Sequence, residues 1–335
     1  MHLTVLSRSA SIYTTRRLLE TARARGHRAR VVDPMQVEME LGGEAPALYH
    51  RRRPFPRTDV VVPRISLASS HYGLAVVNQL QIMGVPVVNT ARAISQSRNK
   101  MRVLQLLSAS GVRVPRTVMD SAPSRLKEMA RLVGGLPVLV KLLLANEKTG
   151  VMVCETRASL ESALEAILGL GQDIVVQQYL RDPKGRDLRV LVVGGRVVAA
   201  LRRRPRVGRL GRSLRQGARF EPAELRPALA RAAVDAARVV GLDVCAVDVL
   251  DVQGTPYVFE VNASPGIREA EEVAGADAAG AIVDLAAGLA SARPAAEGAT
   301  PRRAAGTARG RTRAASVPRG ARPDALNPRA PRASP

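Results

Sequence analysis

Aromatic residues are scarce in this chain. Among its 335 residues there is no Trp, and there are only three Phe and five Tyr. The hydrophobic cores must therefore be built from Val, Leu, Ile and Ala. Proteins that bind unpaired nucleic-acid bases stack them on aromatic side chains, so this composition argues against that class. A chain of this length can form two or three compact subdomains, each with its own core.

Cysteine is also rare, and long apolar runs are missing. Cys154 and Cys245 each lie in an apolar, strand-like run without a second Cys or a His nearby. This pattern predicts buried, reduced thiols, which are typical of a cytosolic protein. The opening residues MHLTVLSRS lack the apolar core of a signal peptide, and no run of about 18 apolar residues could span a membrane. We therefore expect a cytoplasmic protein without a membrane anchor.

Lysine is rare as well, although the chain is strongly basic. Only five of its 51 basic residues are Lys, and the formal net charge is +22. A bias toward Arg and Ala is typical of GC-rich genomes, so part of this charge has a codon-level explanation. Two interpretations stay open, namely loose attraction to anions in general and binding of an acidic or phosphate-bearing partner.

The first 90 residues alternate between strand and helix patterns. LTVLS, RARVVD, DVVVPRI and VPVVN are predicted strands, and TTRRLLETARARG and HYGLAVVNQLQIMG are predicted helices. Such alternation predicts a parallel sheet wrapped by helices, in an N-terminal α/β domain at 1–90. A dinucleotide-binding domain would place G-x-G-x-x-G after its first strand. The chain has SRSASIY there, which disfavours that class.

Two α+β units and a tail are predicted to follow, at 91–180, 181–290 and 291–335. The third unit contains the hairpin pattern LRVLVVGGRVVAAL, whose Gly-Gly pair is a turn signal. The tail has no hydrophobic period and is rich in Pro, Gly, Ala and Arg, which predicts disorder. Its ten Arg against two acidic residues indicate either weak contact with RNA or the ribosome, or an inert appendage.

The segment VDVLDVQGTPYVFEVNASPG contains three polar residues in an otherwise apolar hairpin pattern, namely Asp248, Glu260 and Asn262. Alternate residues of a strand share a face, which predicts Val258 beside Glu260 and Asn262, and Val261 on the opposite face. Asp248 can join the first face if the two strands pair across the DVQGT turn. Two carboxylates and an amide oxygen suit Mg²⁺ or Mn²⁺. The alternative is a set of edge-strand polar groups that face solvent.

Together these motifs resemble a known family. The order and spacing of LSR, VVDP, VVPRI, LQLLSASGV, LVKLL, LRVLVVGGRVVAA and VNASPG resemble the RimK-type α-L-glutamate ligases of the ATP-grasp superfamily, over about residues 1–280. The resemblance implies an ATP-grasp fold behind a pre-ATP-grasp domain, with ATP held between two α+β subdomains. It also implies two Mg²⁺ or Mn²⁺ ions as cofactors and a homo-oligomeric protein.

The resemblance further implies a carboxylate–amine ligase. Such enzymes transfer the γ-phosphoryl group of ATP to a carboxylate, and an amine then attacks the acyl phosphate to form an amide. The expected substrates are ATP, glutamate or a similar amino acid, and an amine, peptide or protein acceptor such as a ribosomal protein. The metal ligands implied are Asp248, Glu260 and Asn262.

Residues that match the family's nucleotide and substrate positions follow from the same comparison. The expected ATP-binding residues are Lys100, Lys141, Gln178, Tyr179 and Asp187. The two lysines match phosphate-side residues, Gln178 stands where the family usually has Glu in the adenine-binding strand, and Asp187 matches the ribose contact. Arg64 ends a predicted parallel strand, where ligands usually lie, and Arg189 shares a strand face with Asp187. Both are candidate substrate residues, Arg64 for the carboxylate of an amino acid, with a surface salt bridge as the alternative for Arg64.

Two segments depart from the family pattern. A glycine-rich phosphate loop is expected after Lys141, but residues 143–151 read LLANEKTGV and keep only Gly150. The family pattern R-S-N-L-H-R-G-G is replaced within the Arg-rich segment RRRPRVGRLGRSLRQGAR, where Arg212 and Ser213 match as catalytic candidates only after a one-residue shift. This segment could clamp phosphates or an acidic acceptor, or be a solvated loop. The alternative function is therefore a catalytically weakened ATP- and metal-binding protein.

Overall fold

The computed structural model describes most of the chain as far as residue 292. The described residues are 1–65, 70–120, 126–142, 151–168, 174–180, 187–204 and 219–292. Several predictions made from the sequence lie outside these ranges, namely the phosphate loop at 143–150, the catalytic candidates Arg212 and Ser213, and the tail after residue 292. Within the described ranges, no helix combines the length and the apolarity needed to cross a bilayer.

Fifteen strands and nine α-helices lie in the described ranges. The strands are β1 (His2–Leu6), β2 (Arg28–Val32), β3 (Val37–Glu40), β4 (Ala47–His50), β5 (Arg53–Pro54), β6 (Val60–Pro63), β7 (Thr117–Asp120), β8 (Val138–Leu142), β9 (Val151–Cys154), β10 (Ile174–Gln178), β11 (Asp187–Val193), β12 (Arg196–Arg204), β13 (Arg219–Pro222), β14 (Val244–Val252) and β15 (Thr255–Asn262). The helices are α1 (Tyr13–Ala24), α2 (Ser70–Ile82), α3 (Ala91–Arg98), α4 (Lys100–Ala109), α5 (Leu126–Leu132), α6 (Arg157–Leu168), α7 (Pro227–Val240), α8 (Arg268–Glu272) and α9 (Ala278–Ser291). A short 3-10 helix occupies Pro34–Gln36.

The N-terminal part contains the parallel sheet that the sequence predicts. Its strand order is β2-β1-β6, and all pairs are parallel. The predicted strand VPVVN is shorter than expected, because only Val87 forms a bridge, with Val61 of β6. Pro86 has no N–H to donate to a longer ladder, although its carbonyl accepts the N–H of Val61. A separate antiparallel sheet has the order β3-β4-β5.

The central part is an antiparallel sheet with the order β7-β10-β8-β9. Val138, Val140 and Val176 lie on one face and pack against residues of α5 and α6. Helices cover this face because alternate strand residues are apolar there. The opposite face of the sheet is therefore the one that carries polar side chains.

The C-terminal part is an antiparallel sheet with the order β13-β12-β11-β14-β15. Helix α7 covers one face through Leu229, Ala233 and Ala237, which recur every four residues. The helix begins at Pro227, whose missing N–H would have no partner in the first turn. It ends before Gly241, which adopts the left-handed conformation with φ of 78° that closes many helices.

Among the described residues, α9 covers part of the opposite face of this sheet. Leu191 and Val244 pack against Ile282 of α9, in a core that also includes Leu3 and Val60 of the parallel sheet. The last helix therefore returns to the N-terminal part of the chain. The same face also carries Asp187, Arg189, Arg203 and Asp248, which belong to the candidate site.

Both cysteines are buried and form no disulfide, as predicted. Burial raises the pKa of the Cys154 thiol, and it raises the pKa of Cys245 to about 12. Both thiols are therefore protonated and unreactive near neutral pH.

Candidate active site

Strand register brings the three predicted metal ligands together. Asp248 of β14 pairs directly with Glu260 of β15, and Ala246 pairs with Asn262. Residues that are paired across an antiparallel ladder project from the same face of the sheet. Asp248, Glu260 and Asn262 therefore share the face that α7 does not cover.

One detail of this hairpin differs from the expectation. The register shifts between Asp248 and Val249, so that Glu260 and Val258 face successive residues of β14 and Phe259 is the extra residue of a β-bulge. Val258 consequently turns to the buried side and packs in the same core as Val261. The prediction that Val258 shares a face with Glu260 was wrong, because a bulge breaks the alternation of period two.

Charged residues continue this row across the neighbouring strands. Arg203 of β12 reaches over β11, where its Nη1 lies 3.1 Å from Oδ2 of Asp187 and its Nη2 lies 3.0 Å from Oδ2 of Asp248. Arg189, which pairs with Asp248 in the ladder, places its Nη1 3.9 Å from Oδ1 of that carboxylate. The predicted ribose contact and the predicted metal ligand are thus bridged by one guanidinium.

Arg203 is a further candidate site residue, which the sequence indicated only as part of the Arg-rich segment. Its side chain is 4% exposed and that of Asp248 is 2% exposed, so the pair is one of the most deeply buried ion pairs in the described part of the chain. The signal in the sequence was alternation, because Ala199, Leu201 and Arg203 are the buried residues of β12. A buried position at the end of that series distinguishes Arg203 from the next residue, Arg204, which is exposed.

The donor set fits a divalent metal ion. Asp248 and Glu260 supply carboxylates and Asn262 supplies an amide oxygen, which are the hard ligands that Mg²⁺ and Mn²⁺ prefer. The Asn262 side chain is held by its own turn, because its Oδ1 accepts the N–H of Ser264 at 2.9 Å. No cluster of three or more His, Cys, Asp or Glu was found in the described ranges, so the amide is needed to complete a three-residue set.

Lys141 is fixed by a chain of polar side chains on the central sheet. Its Nζ donates to Oε1 of Gln177 at 2.6 Å, and Nε2 of Gln177 donates to Oγ1 of Thr117 at 2.8 Å. Gln177 is 1% exposed, which leaves its amide few alternative partners. The sequence singled out Gln178, yet the side chain that orients Lys141 is the preceding glutamine.

Gln178 lies on the other face of β10. Its backbone N–H donates to the carbonyl of Arg116, and its Oε1 accepts the N–H of Arg116 at 3.3 Å. Tyr179 follows it at the end of the strand and is partly buried. A cavity of about 580 Å³ adjoins this region, between the central sheet and β15. Its lining residues are Ser108, Gly111, Val112, Arg113, Val114, Arg116, Gln178 and Tyr257.

The two remaining candidates lie near the end of the parallel sheet and on the following helices. Arg64 follows β6 and donates from Nη2 to the carbonyls of Ser264 and Pro265, at 3.2 and 2.7 Å. Lys100 is the first residue of α4, where the side chain of Asn99 caps the helix. Arg64 therefore contacts the turn that directly follows Asn262, the last of the three predicted metal ligands.

Comparisons with known proteins agree on one family. Residues 97–286 match the family model of the RimK-like ATP-grasp domain, and residues 1–94 match that of the RimK PreATP-grasp domain. A relative from Thioalkalivibrio sulfidiphilus named "Probable alpha-L-glutamate ligase" is 42% identical over 285 residues, which cover 85% of this chain and 95% of the relative.

Solved structures show a similar fold. The ATP-grasp ligase PsnB complexed with a minimal precursor superposes with a TM-score of 0.70 at 24% identity, covering 86% of this chain and 98% of that chain. PsnB complexed with the minimal precursor, Mg and ADP gives a TM-score of 0.68 at 23% identity, covering 87% and 98%. At these sequence identities the similarity to PsnB shows a shared fold and no more.

Proposed function

Because the chain belongs to the RimK-like ATP-grasp family, we propose that it is an ATP-dependent ligase that joins a carboxylate to an amine through an acyl phosphate. The observation that carries this proposal is the row of Asp248, Glu260 and Asn262 on the sheet face that α7 does not cover. Lys141 adds a positioned ammonium group on the neighbouring sheet. Both features suit the binding of a metal–nucleotide complex.

Each residue has a role in binding or orienting the nucleotide. Lys141 and Lys100 attract the phosphate oxygens, and the fixed contact of Lys141 with Gln177 limits the positions that its Nζ can adopt. Asp187 accepts a hydrogen bond from a ribose hydroxyl, and the backbone groups that follow Gln178 contact the adenine. When Mg²⁺ or Mn²⁺ ions are bound, two in this proposal, they offset the charge of the phosphates and polarise the transferred group.

The reaction then balances in two displacements. A substrate carboxylate oxygen attacks the γ-phosphorus of ATP, and ADP leaves. The amine nitrogen attacks the acyl carbon, inorganic phosphate leaves, and the amine loses a proton. Arg203, Arg189 and the Arg-rich segment containing Arg212 and Ser213 supply positive charge for the anionic species in this scheme.

Glutamate is the proposed amino acid, and a peptide or protein is the proposed acceptor. The relatives named as glutamate ligases support the first assignment, and the precursor-bound ligase of similar fold supports the second. A ribosomal protein is one acceptor of this class.

The proposal is tested by incubating the protein with ATP, Mg²⁺, an amino-acid panel and carboxylate-bearing peptides, and by following ADP and amide products by mass spectrometry. ADP formation should require both a carboxylate and an amine substrate. Glu260→Ala should abolish turnover. The matched control is Glu221→Ala on the same sheet, which removes only a surface ion pair with Arg204 and should leave turnover unchanged.

Two outcomes would replace this proposal. Nucleotide binding without turnover across the panel would favour the alternative of a weakened ATP- and metal-binding protein. Equal loss of activity in Glu260→Ala and Glu221→Ala would show that the row of Asp248, Glu260 and Asn262 has no special part in the reaction.

A further inference from the structure

Arg64 carries a positive charge that no acid of the described residues offsets. Its Nη2 donates to the backbone carbonyls of Ser264 and Pro265, and none of the ion pairs in the described ranges includes it. Its Nε and Nη1 have no acceptor in the same ranges, although they are not among the buried donors without a partner. These N–H groups are therefore accessible to a ligand.

The surroundings of Arg64 disfavour its charge. Burial lowers the pKa of Arg64 to about 10, and no nearby carboxylate counteracts the effect. Retaining a charge in such a place without a counter-ion is costly for a folded protein. A neutral side chain could tie β6 to the turn at Ser264 and Pro265 at lower cost, so the charge itself needs an explanation.

The position of Arg64 connects it to the candidate active site. The turn that it contacts begins two residues after Asn262. Oγ of Ser264, in the same turn, is buried and has no hydrogen-bond partner in the described part of the chain. A second guanidinium, that of Arg98, contacts the adjacent carbonyl of Ile65 at 3.0 Å. Two guanidinium groups and the hydroxyl of Ser264 thus lie near the end of β6.

We propose that Arg64, together with Ser264, binds a carboxylate of the amino-acid substrate that does not take part in bond formation. The site would accept amino acids with a free carboxylate and reject the corresponding esters or amides. This assignment rests on the proposed ligase function, and it specifies the substrate class of that same site. One N–H of the guanidinium that is not bonded to the turn and the hydroxyl of Ser264 can each donate to one oxygen of a carboxylate, and hydrogen bonds to charged groups are among the strongest in proteins.

The competing explanation is that Arg64 only tethers the turn to β6. The two explanations predict opposite effects on stability when Arg64 is replaced by Gln. A tether would be lost, and the melting temperature would fall. A ligand-binding charge without a counter-ion would be removed, and the melting temperature would stay the same or rise.

Direct binding tests this proposal without requiring turnover. The full chain, saturated with ADP and Mg²⁺, is titrated with L-glutamate and with its dimethyl ester by calorimetry. The wild type should bind glutamate and should bind the ester at least tenfold more weakly. Arg64→Gln should lose glutamate affinity by about tenfold or more, with ADP affinity and melting temperature retained. Arg64→Lys, which keeps the charge but not the planar guanidinium, should recover part of the affinity.

Arg25→Gln is the matched control. Arg25 also donates to a backbone carbonyl of another element, that of Gly280, but it is paired with Asp277 and Asp284. This variant should lose stability and keep its affinity for glutamate. The contrast separates an arginine that only fastens two elements from one that binds a ligand.

Three results would overturn the proposal. One is unchanged glutamate affinity in Arg64→Gln, another is equal affinity of the wild type for glutamate and its ester, and the third is a joint loss of stability, ADP affinity and glutamate affinity in Arg64→Gln. Selective glutamate binding without amide formation would contradict the proposed ligase function while leaving this site supported.

Discussion

The buried ion pair between Arg203 and Asp248 offers the sharpest stability prediction. Replacing Arg203 with Met keeps most of the side-chain volume but leaves the 2% exposed carboxylate of Asp248 without the guanidinium that lies 3.0 Å away. Removing one partner of a buried pair typically costs about 3–5 kcal/mol. Arg189 lies 3.9 Å from the same carboxylate and offsets part of the charge, so we expect a value near the lower end, about 3 kcal/mol.

Asp187 contributes little to this loss. Its side chain is 31% exposed, so water can solvate the carboxylate after Arg203 is removed. Most of the lost stability therefore comes from the unpaired carboxylate of Asp248, and a double-mutant cycle with Asp248→Asn measures this part. Replacing both members removes the uncompensated charge, so the double variant should be more stable than Arg203→Met alone, with a coupling energy of about 0.5–3 kcal/mol.

Urea denaturation followed by circular dichroism measures these differences. Mg²⁺ should stabilise Arg203→Met more than it stabilises the wild type, because a divalent ion at Asp248 replaces the missing positive charge. A loss below about 1 kcal/mol, the range of exposed ion pairs, would show that Asp248 does not depend on Arg203 for its charge balance. Additive effects of Arg203→Met and Asp248→Asn would show the same.

Three further predictions follow from other parts of the chain. Gln177→Leu should raise the KM for ATP and lower kcat, because Lys141 loses its 2.6 Å hydrogen bond to this side chain. Gln177→Glu keeps an acceptor for Lys141 and should restore part of the activity. Equal rates in the wild type and both variants would contradict the role of Gln177 in positioning Lys141. Burial raises the pKa of the Cys245 thiol in the folded protein to about 12 from 9.0, so the unfolded chain loses this proton at lower pH than the folded chain does. The contribution of the buried thiol to the free energy of unfolding is therefore complete below pH 9 and is lost as the pH rises toward 12. The difference in unfolding free energy between wild type and Cys245→Ala should shrink over that interval, and a constant difference would contradict the assignment. Removing residues 293–335 should leave ADP formation intact in steady-state assays, and a large loss would show that the tail takes part in the reaction.

The parallel N-terminal sheet and the pairing of Asp248, Glu260 and Asn262 on one sheet face could be predicted because local pattern determines both. Alternation of strand and helix signals gave the parallel sheet. The polar residues Asp248, Glu260 and Asn262 interrupt an apolar hairpin of known turn length, so their pairing follows from a local register. Such features need no knowledge of distant parts of the chain.

The parts that were missed depend on long-range or irregular geometry. The bulge at Phe259 moved Val258 to the buried face, and no simple alternation reveals where an extra residue is inserted. The contact of Arg203 with Asp248 depends on the strand order β12-β11-β14, which joins segments 45 residues apart. Likewise, Gln177 orients Lys141 only because β8 and β10 are neighbours.

Isotope transfer distinguishes the acyl-phosphate route from other routes to the amide. A carboxylate substrate identified in the product assay is labelled with ¹⁸O in its reacting carboxyl group and incubated with ATP, Mg²⁺ and the amine substrate. Attack of the carboxylate on the γ-phosphorus predicts that one labelled oxygen appears in the inorganic phosphate released with each amide bond. Amide formation with unlabelled phosphate, or with the label in AMP, would contradict the account.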